Sequence, residues 1–414
     1  MNDTKQQWFK EAKFGLFIHF GLYSQLGGEW KGKVTPFIAE WIMNTFDIPM
    51  EEYRKLADTF DPVNFDAEQI AEKAASWGMK YLVVTSKHHE GFALYDSDCS
   101  DYTSVKAAPC HRDFVAELQE ACRKNGLKFG VYYSQAQDWD DPDGYMARHD
   151  NSGKNYRAYL ERKCFPQLRE LLTKYPDISL IWFDTPMGTT PEESKEMIDL
   201  VKSINPNVII SGRIGNGLGE YMTTGDNFIP SEPFMGDWEV PATLNDTWGY
   251  KETDHNWKDP ERILRLLLKI NSRGGNYLLN IGPDGTGKVP EESIEILDKV
   301  GGYVHANEDA IRATQYVPVF PYDLEWCLFT RKAHKFFIHV TEPQVRPEII
   351  NFNATIQKAY ILENGKEVGW EIEATCEGPH ILSLTLPEEY KERDHYCICL
   401  EIEEEQPVFE EIRL

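Results

Sequence analysis

The feature that most constrains the fold is an alternation. Short apolar runs at 14–19, 81–86, 128–133, 180–184, 208–212 and 277–281 are separated by longer amphipathic stretches at 67–78, 113–126, 155–175, 191–204 and 259–275. The apolar runs are continuous, as strands covered on both faces must be, and the stretches between them carry helical periodicity. Asp66, Asp113 and Asp259 stand where N-caps belong, and Gly78 and Gly126 where helices should end. Repeated strand–helix alternation predicts a parallel sheet, closed as a barrel or open as a doubly wound sheet. With no GxGxxG or Walker A motif, the open nucleotide-binding sheets lose ground.

Polar residues decide for the barrel. His19, Lys87-His88-His89, Tyr133-Ser134, Asp184 and Arg213 fall at or just after the C-terminal ends of the apolar runs. That end of a (β/α)8 barrel carries the chemistry. The expected fold is an irregular (β/α)8 barrel over residues 1–315, its helix signals sparse beyond 213. From 316 to 414 only alternating strand patterns remain, at 326–341, 349–362, 366–375, 380–388 and 395–405, which predicts an antiparallel β-sandwich.

Charge narrows the function. Lys and Arg total 43 against 68 Asp and Glu, a net charge of −25. Nucleic-acid binding and docking on an anionic membrane both need clustered cations, so neither is expected. No stretch approaches the ~20 apolar residues of a membrane span. The eight cysteines form no CxxC pair and the first residues contain no apolar leader-like run, so a reduced cytoplasmic enzyme is expected. A leaderless export route is the alternative.

The sharpest local signal is ISLIWFDTP (178–186), in which an apolar run leads into Asp184 and Pro186 stops the strand. A carboxylate held there suits a nucleophile or general base, although an N-cap for the next segment is an equal reading. His88 and His89 offer hydrogen-bonding groups suited to sugar hydroxyls, while core histidines are the plainer alternative. A three-histidine zinc site with His19 lacks HxH or HxxxH spacing, and both imidazoles could reach one point only if the strand broke there. Trp30, Trp41, Trp139, Trp182, Trp238, Trp248 and Tyr250 crowd the same loops, and aromatic faces stack on the C–H faces of sugars. Glycoside hydrolysis needs a second carboxyl group. Glu239, between Trp238 and Val240, is preferred because an apolar setting keeps a carboxyl protonated as a general acid; Glu232 in FIPSEP is the alternative.

The ordered series FGLFIHFG (14–21), EWIMNTFDIPMEEYRKLADTFDP (40–62), KHHEGF (87–92), VYYS with DW behind (131–139), IWFD (181–184), DWE to TLNDTWGY (237–250) and NYLLNIGPDGTG (276–287) resembles the α-L-fucosidases of glycoside hydrolase family 29. The resemblance implies a retaining exo-glycosidase that removes terminal α-L-fucose from oligosaccharides or glycoconjugates through a covalent glycosyl-enzyme, with no metal or organic cofactor. It implies Asp184 as nucleophile and His19, Glu40, Trp41, His88, His89, Tyr133, Trp182 and Arg213 as the lining of the fucose pocket, with Tyr132 as the alternative to Tyr133. The acid/base comes from variable loops, so Glu239 and Glu232 both stay open. Phe20 stands where Trp is usual, Glu90 where Asp is familiar and Thr185 where Gly is common; these departures bear on the pocket rim or the aglycone preference. Competing functions are a glycosidase of related specificity such as a galactosidase, a sugar-binding barrel without turnover, and a metal-dependent hydrolase built on the histidines.

Overall fold

The computed structural model describes residues 6–231, 234–317, 324–373 and 380–409. Eight parallel strands make the first sheet: β1 (Phe14–Ile18), β2 (Tyr81–Lys87), β3 (Lys128–Ser134), β4 (Ile178–Asp184), β5 (Ile209–Ile210), β6 (Met222–Thr223), β7 (Trp238–Thr243) and β8 (Asn276–Ile281). Their spatial order is β5-β4-β3-β2-β1-β8-β7-β6. A parallel bridge between Ser211 and Tyr221 joins the two ends of that order, so the sheet closes into a barrel. Alternation then splits the side chains into two cores. Phe17, Tyr81, Val83, Tyr132, Leu180, Trp182, Ile209, Tyr221 and Leu278 fill the interior. Leu16, Ile18, Leu82, Val84, Val131, Ile181 and Phe183 pack outward against helices.

Six helices supply most of that outer layer: α1 (Ala67–Ser76), α2 (Phe114–Lys124), α3 (Phe165–Lys174), α4 (Pro191–Ile204), α5 (Pro260–Ser272) and α6 (Glu291–Ala306). Their starts follow the sequence signals. The Asp66, Asp113 and Asp259 carboxylates accept the N–H groups of Gln69, Ala116 and Arg262, and Thr190 with Glu193 forms a capping box. Among the described residues no α-helix follows β5 or β6. A short 3-10 turn (Gly212–Ile214) and irregular chain take their place, the irregularity expected beyond residue 213.

The C-terminal region is antiparallel. Strands β9 (Cys327–Lys332), β10 (Lys335–Val340), β16 (Tyr396–Ile402) and β13 (Ile356–Ile361) form one sheet in that spatial order. Strands β11 (Glu348–Ile350), β15 (Ile381–Thr385) and β14 (Gly369–Glu373) form a second, and β12 (Phe352–Asn353) pairs with β17 (Val408–Phe409). The stretch 349–362 is thus broken into three strands, with Asn351 at φ +63 between the first two. Phe336, Ile338, Leu382, Leu384, Ile398 and Leu400 share the core between these sheets. Contacts to the barrel are polar as well as apolar: Tyr303 OH lies 2.9 Å from His339 Nδ1, and Asp309 receives Lys332 and Lys335 at 2.6 and 2.7 Å.

Candidate active site

Asp184 ends β4 on the inward face, two residues beyond Trp182. Its carboxylate accepts Tyr132 OH on Oδ2 and Arg213 Nη1 on Oδ1, both at 3.0 Å, and its own N–H donates to Gln135 Oε1 at 2.8 Å. The side chain retains 11% exposure, so a small molecule can reach it. The next residue, Thr185, has φ +45, a left-handed conformation that a β-branched residue adopts at a cost and glycine adopts freely. This is the physical reason a glycine suits that position. Here Thr185 Oγ1 accepts Gln137 Nε2 at 3.0 Å instead.

The histidines come together because β2 breaks. Its pairing with β3 slips between Thr85 and Lys87, and a turn follows in which Gly91 N–H donates to His88 O at 3.1 Å. The two rings lie 4.2 Å apart by centroid. His89 points Nε2 at Asp184 Oδ2 across 3.7 Å, with Nδ1 2.7 Å from Ser134 Oγ. His88 stacks on Tyr132 at 5.2 Å, and His19 holds Asn280 Oδ1 at 2.7 Å through Nδ1. Burial pushes His19 and His88 down to about 3 and His89 down as well. All three are therefore neutral hydrogen-bonding groups at neutral pH. Among the described residues, no group of three His, Cys, Asp or Glu side chains is arranged to hold a metal ion.

Glu40 and Trp41 lie on a 3-10 turn (Ala39–Trp41). Glu40 Oε2 accepts Gly249 N–H at 2.9 Å and Thr247 Oγ1 at 3.3 Å, while Oε1 is sealed without a protein partner. Burial raises this carboxyl to about 7. Trp41 meets His89 at 5.2 Å and Trp139 at 5.5 Å, and Trp248 meets His19 at 5.0 Å. The indole of Trp182 forms the floor, stacked 5.7 Å from Tyr132 with the Arg213 guanidinium 4.8 Å above it.

Three expectations need correction. Tyr133 does not face this cluster: strand alternation turns it outward, where its hydroxyl donates to Gln167 Oε1 of α3 at 2.8 Å, and Tyr132 is the inward tyrosine. Glu239 does not reach Asp184 either. It is the second residue of β7, near the N-terminal end of the barrel, and is fully buried. Its carboxylate accepts Tyr81 OH at 2.6 Å, Trp182 Nε1 at 2.8 Å and Tyr221 OH at 3.4 Å. The apolar neighbours do raise its pKa, to about 7 through burial, but in the barrel interior. Phe20 has no place on the pocket rim, because it packs outward against Phe60, Phe65 and Phe114. Glu232 lies outside the described residues.

Sequence reasoning passed over Gln135, Asn280 and Asp226. Asn280 could have been found by counting inward positions along β8, since it lies two residues beyond the inward Leu278. Asp226 contacts Arg213 from the irregular chain after β6, where no periodicity marks it.

Residues 1–309 match the family model described as alpha-L-fucosidase. The plasma alpha-L-fucosidase of Rattus norvegicus is 32% identical over 330 residues, covering 74% of this chain and 70% of its own length. The tissue alpha-L-fucosidase of Homo sapiens is 31% identical over 339 residues, covering 77% and 70%. Among solved structures, an alpha-L-fucosidase from Vibrio sp. strain EJY3 superposes with a TM-score of 0.91 at 31% identity, over 98% of this chain and 74% of that one. One from Lactobacillus casei, in complex with its alpha-L-fucose product, gives a TM-score of 0.70 at 40% identity over 74% of this chain and 100% of its own.

Proposed function

Since the chain belongs to the α-L-fucosidase family of glycoside hydrolases, we propose that it removes terminal α-L-fucose from fucosylated oligosaccharides or glycoconjugates with retention of configuration, Asp184 acting as nucleophile. The observation that carries this reading is the Asp184 carboxylate, reachable at the barrel's C-terminal end and held from two sides by Tyr132 and Arg213. Asp184 attacks the anomeric carbon as the bond to the leaving oxygen breaks, and that oxygen takes a proton from a second carboxyl group. Water then cleaves the fucosyl ester, giving a proton to the same group and freeing the carboxylate. Arg213 and Tyr132 hold the carboxylate in line, so little reorganisation precedes attack. His19, His88, His89 and Glu40 offer donors and acceptors for the hydroxyl pattern, and Trp41, Trp182 and Trp248 offer faces for the C–H bonds and methyl group.

The proton donor in this reading is Glu232. Glu239 is sealed in the interior with its carboxylate satisfied by three donors. Kinetics on an aryl α-L-fucoside test both assignments. Asp184→Gly should lose turnover by about three orders of magnitude or more and keep its fold; near-normal activity in that variant would refute the nucleophile. Azide should rescue Glu232→Ala on a substrate with a good leaving group and should not rescue Glu239→Ala. The reverse pattern would return the role to Glu239.

A further inference from the structure

Glu90 is a residue the reaction above does not use. It follows His88-His89 at the broken end of β2 and is 1% exposed. Its Oε2 lies 3.5 Å from His88 Nδ1, and both atoms are sealed from solvent with no hydrogen-bond partner. Two unpartnered buried polar atoms facing each other are costly unless a proton lies between them. His88 itself belongs to the cluster around Asp184, stacked on the tyrosine that donates to Asp184.

We propose that Glu90 is a positioning residue: its carboxyl O–H donates to His88 Nδ1, which places the ring proton on Nε2 and makes His88 a hydrogen-bond donor to the bound sugar. The inference rests on the fucosidase reading only for the identity of that sugar. The groups facing Glu90 favour the neutral acid. Tyr23, Tyr53 and Tyr102 lie within electrostatic range of it, none carrying positive charge, and Asp138 opposes its ionisation; Lys87 and the backbone N–H groups of Glu90 and Leu22 favour the anion. Burial dominates, holding the carboxyl near 8 and His88 near 3, so at neutral pH the pair carries one shared proton and no charge. Loss of that proton at alkaline pH leaves a carboxylate that must accept Nδ1–H. The ring then turns Nε2 into an acceptor, reversing its polarity toward the sugar.

Two measurements test this on the full chain. The first reads the tautomer of His88 without sugar, from imidazole 15N shifts at pH 6.5 and pH 9.5, with His88→Gln identifying the signal. Nε2–H in the wild type at pH 6.5, shifting toward Nδ1–H at pH 9.5, is expected. Glu90→Gln should hold Nε2–H at both values, because its amide still donates. Nδ1–H in the wild type at pH 6.5 overturns the proposal whatever the activity. The second is the dissociation constant of L-fucose. It should weaken about tenfold per pH unit above pH 8 in the wild type and stay flat in Glu90→Gln. In Glu90→Ala it should weaken about tenfold already at pH 6.5. An unchanged pH dependence in Glu90→Gln also overturns the proposal, even if Glu90→Ala does not fold. A wild type that shows the expected tautomers but does not hydrolyse an aryl fucoside refutes the fucosidase reading and upholds Glu90.

Discussion

Glu239→Ala separates a buried structural carboxylate from a catalytic one, and the outcome depends on pH. The substitution strands two short donors, Tyr81 OH at 2.6 Å and Trp182 Nε1 at 2.8 Å, and weakens a longer one from Tyr221 at 3.4 Å. Stranded buried donors cost about 1–3 kcal/mol each, so the variant should lose about 4 kcal/mol at pH 5, where the wild-type carboxyl is protonated and carries no burial penalty. The wild type is itself penalised at higher pH. Its folded pKa of about 7 exceeds the ordinary glutamate value of 4.5, so the folded state holds more protons and stability falls as pH rises from 4.5 through 7. That shift is worth about 3 kcal/mol, which leaves the variant only about 1 kcal/mol weaker at pH 8. At about 2 °C per kcal/mol for a domain of this size, the deficit in melting temperature should shrink from about 8 °C to about 2 °C across that range. Glu40 and Glu90 titrate in the same sense, but the difference between the two proteins cancels them. Calorimetry or denaturant unfolding at both pH values is the assay. A pH-independent deficit, or lost activity with full stability and azide rescue, would refute the structural role.

Other outcomes follow from the same geometry. Tyr132→Phe removes a hydrogen bond to Asp184 and should lower kcat/KM by about tenfold or more, whereas Tyr133→Phe should leave kinetics unchanged and cost about 1 kcal/mol of stability through the lost Gln167 bond; equal kinetic losses in both would overturn the corrected assignment. Thr185→Gly relieves a left-handed threonine and gives up one bond from Gln137, so the protein should unfold at the same or a higher temperature; a marked loss would show that the bond outweighs the strain. The buried histidines have folded pKa values below the unfolded 6.5, so the unfolded chain binds more protons as pH drops and stability should be lost progressively below 6.5. His19→Gln should flatten that acid limb, which pH-dependent unfolding would record.

Much of this architecture was legible in the chain because two periodicities are strong. Buried parallel strands leave unbroken apolar runs, and the helix starts at Asp66, Asp113 and Asp259 carry side chains that satisfy free N–H groups. Asp184 stood out because an apolar strand rarely ends on a charge without use for it. What failed was resolution at the level of one residue. Tyr132 and Tyr133 are indistinguishable until the inward phase of β3 is known, and that phase is fixed by the helix packed against the other face. Glu239 misled because its apolar neighbours are equally consistent with a pocket and with the barrel interior; only the position of β7 along the barrel axis separates the two. His88 and His89 converge through a bulge, and a bulge leaves no mark in a period-two pattern.

Trp182 is gripped at opposite ends of the barrel. Its indole N–H is bound by Glu239 from the closed end, and its face supports the guanidinium that grips Asp184 at the open end. Substitutions deep in the closed end can therefore alter the aim of the Asp184 carboxylate through a single rigid ring. Anyone tuning this catalyst by directed evolution should look for beneficial changes beneath the pocket as well as around it.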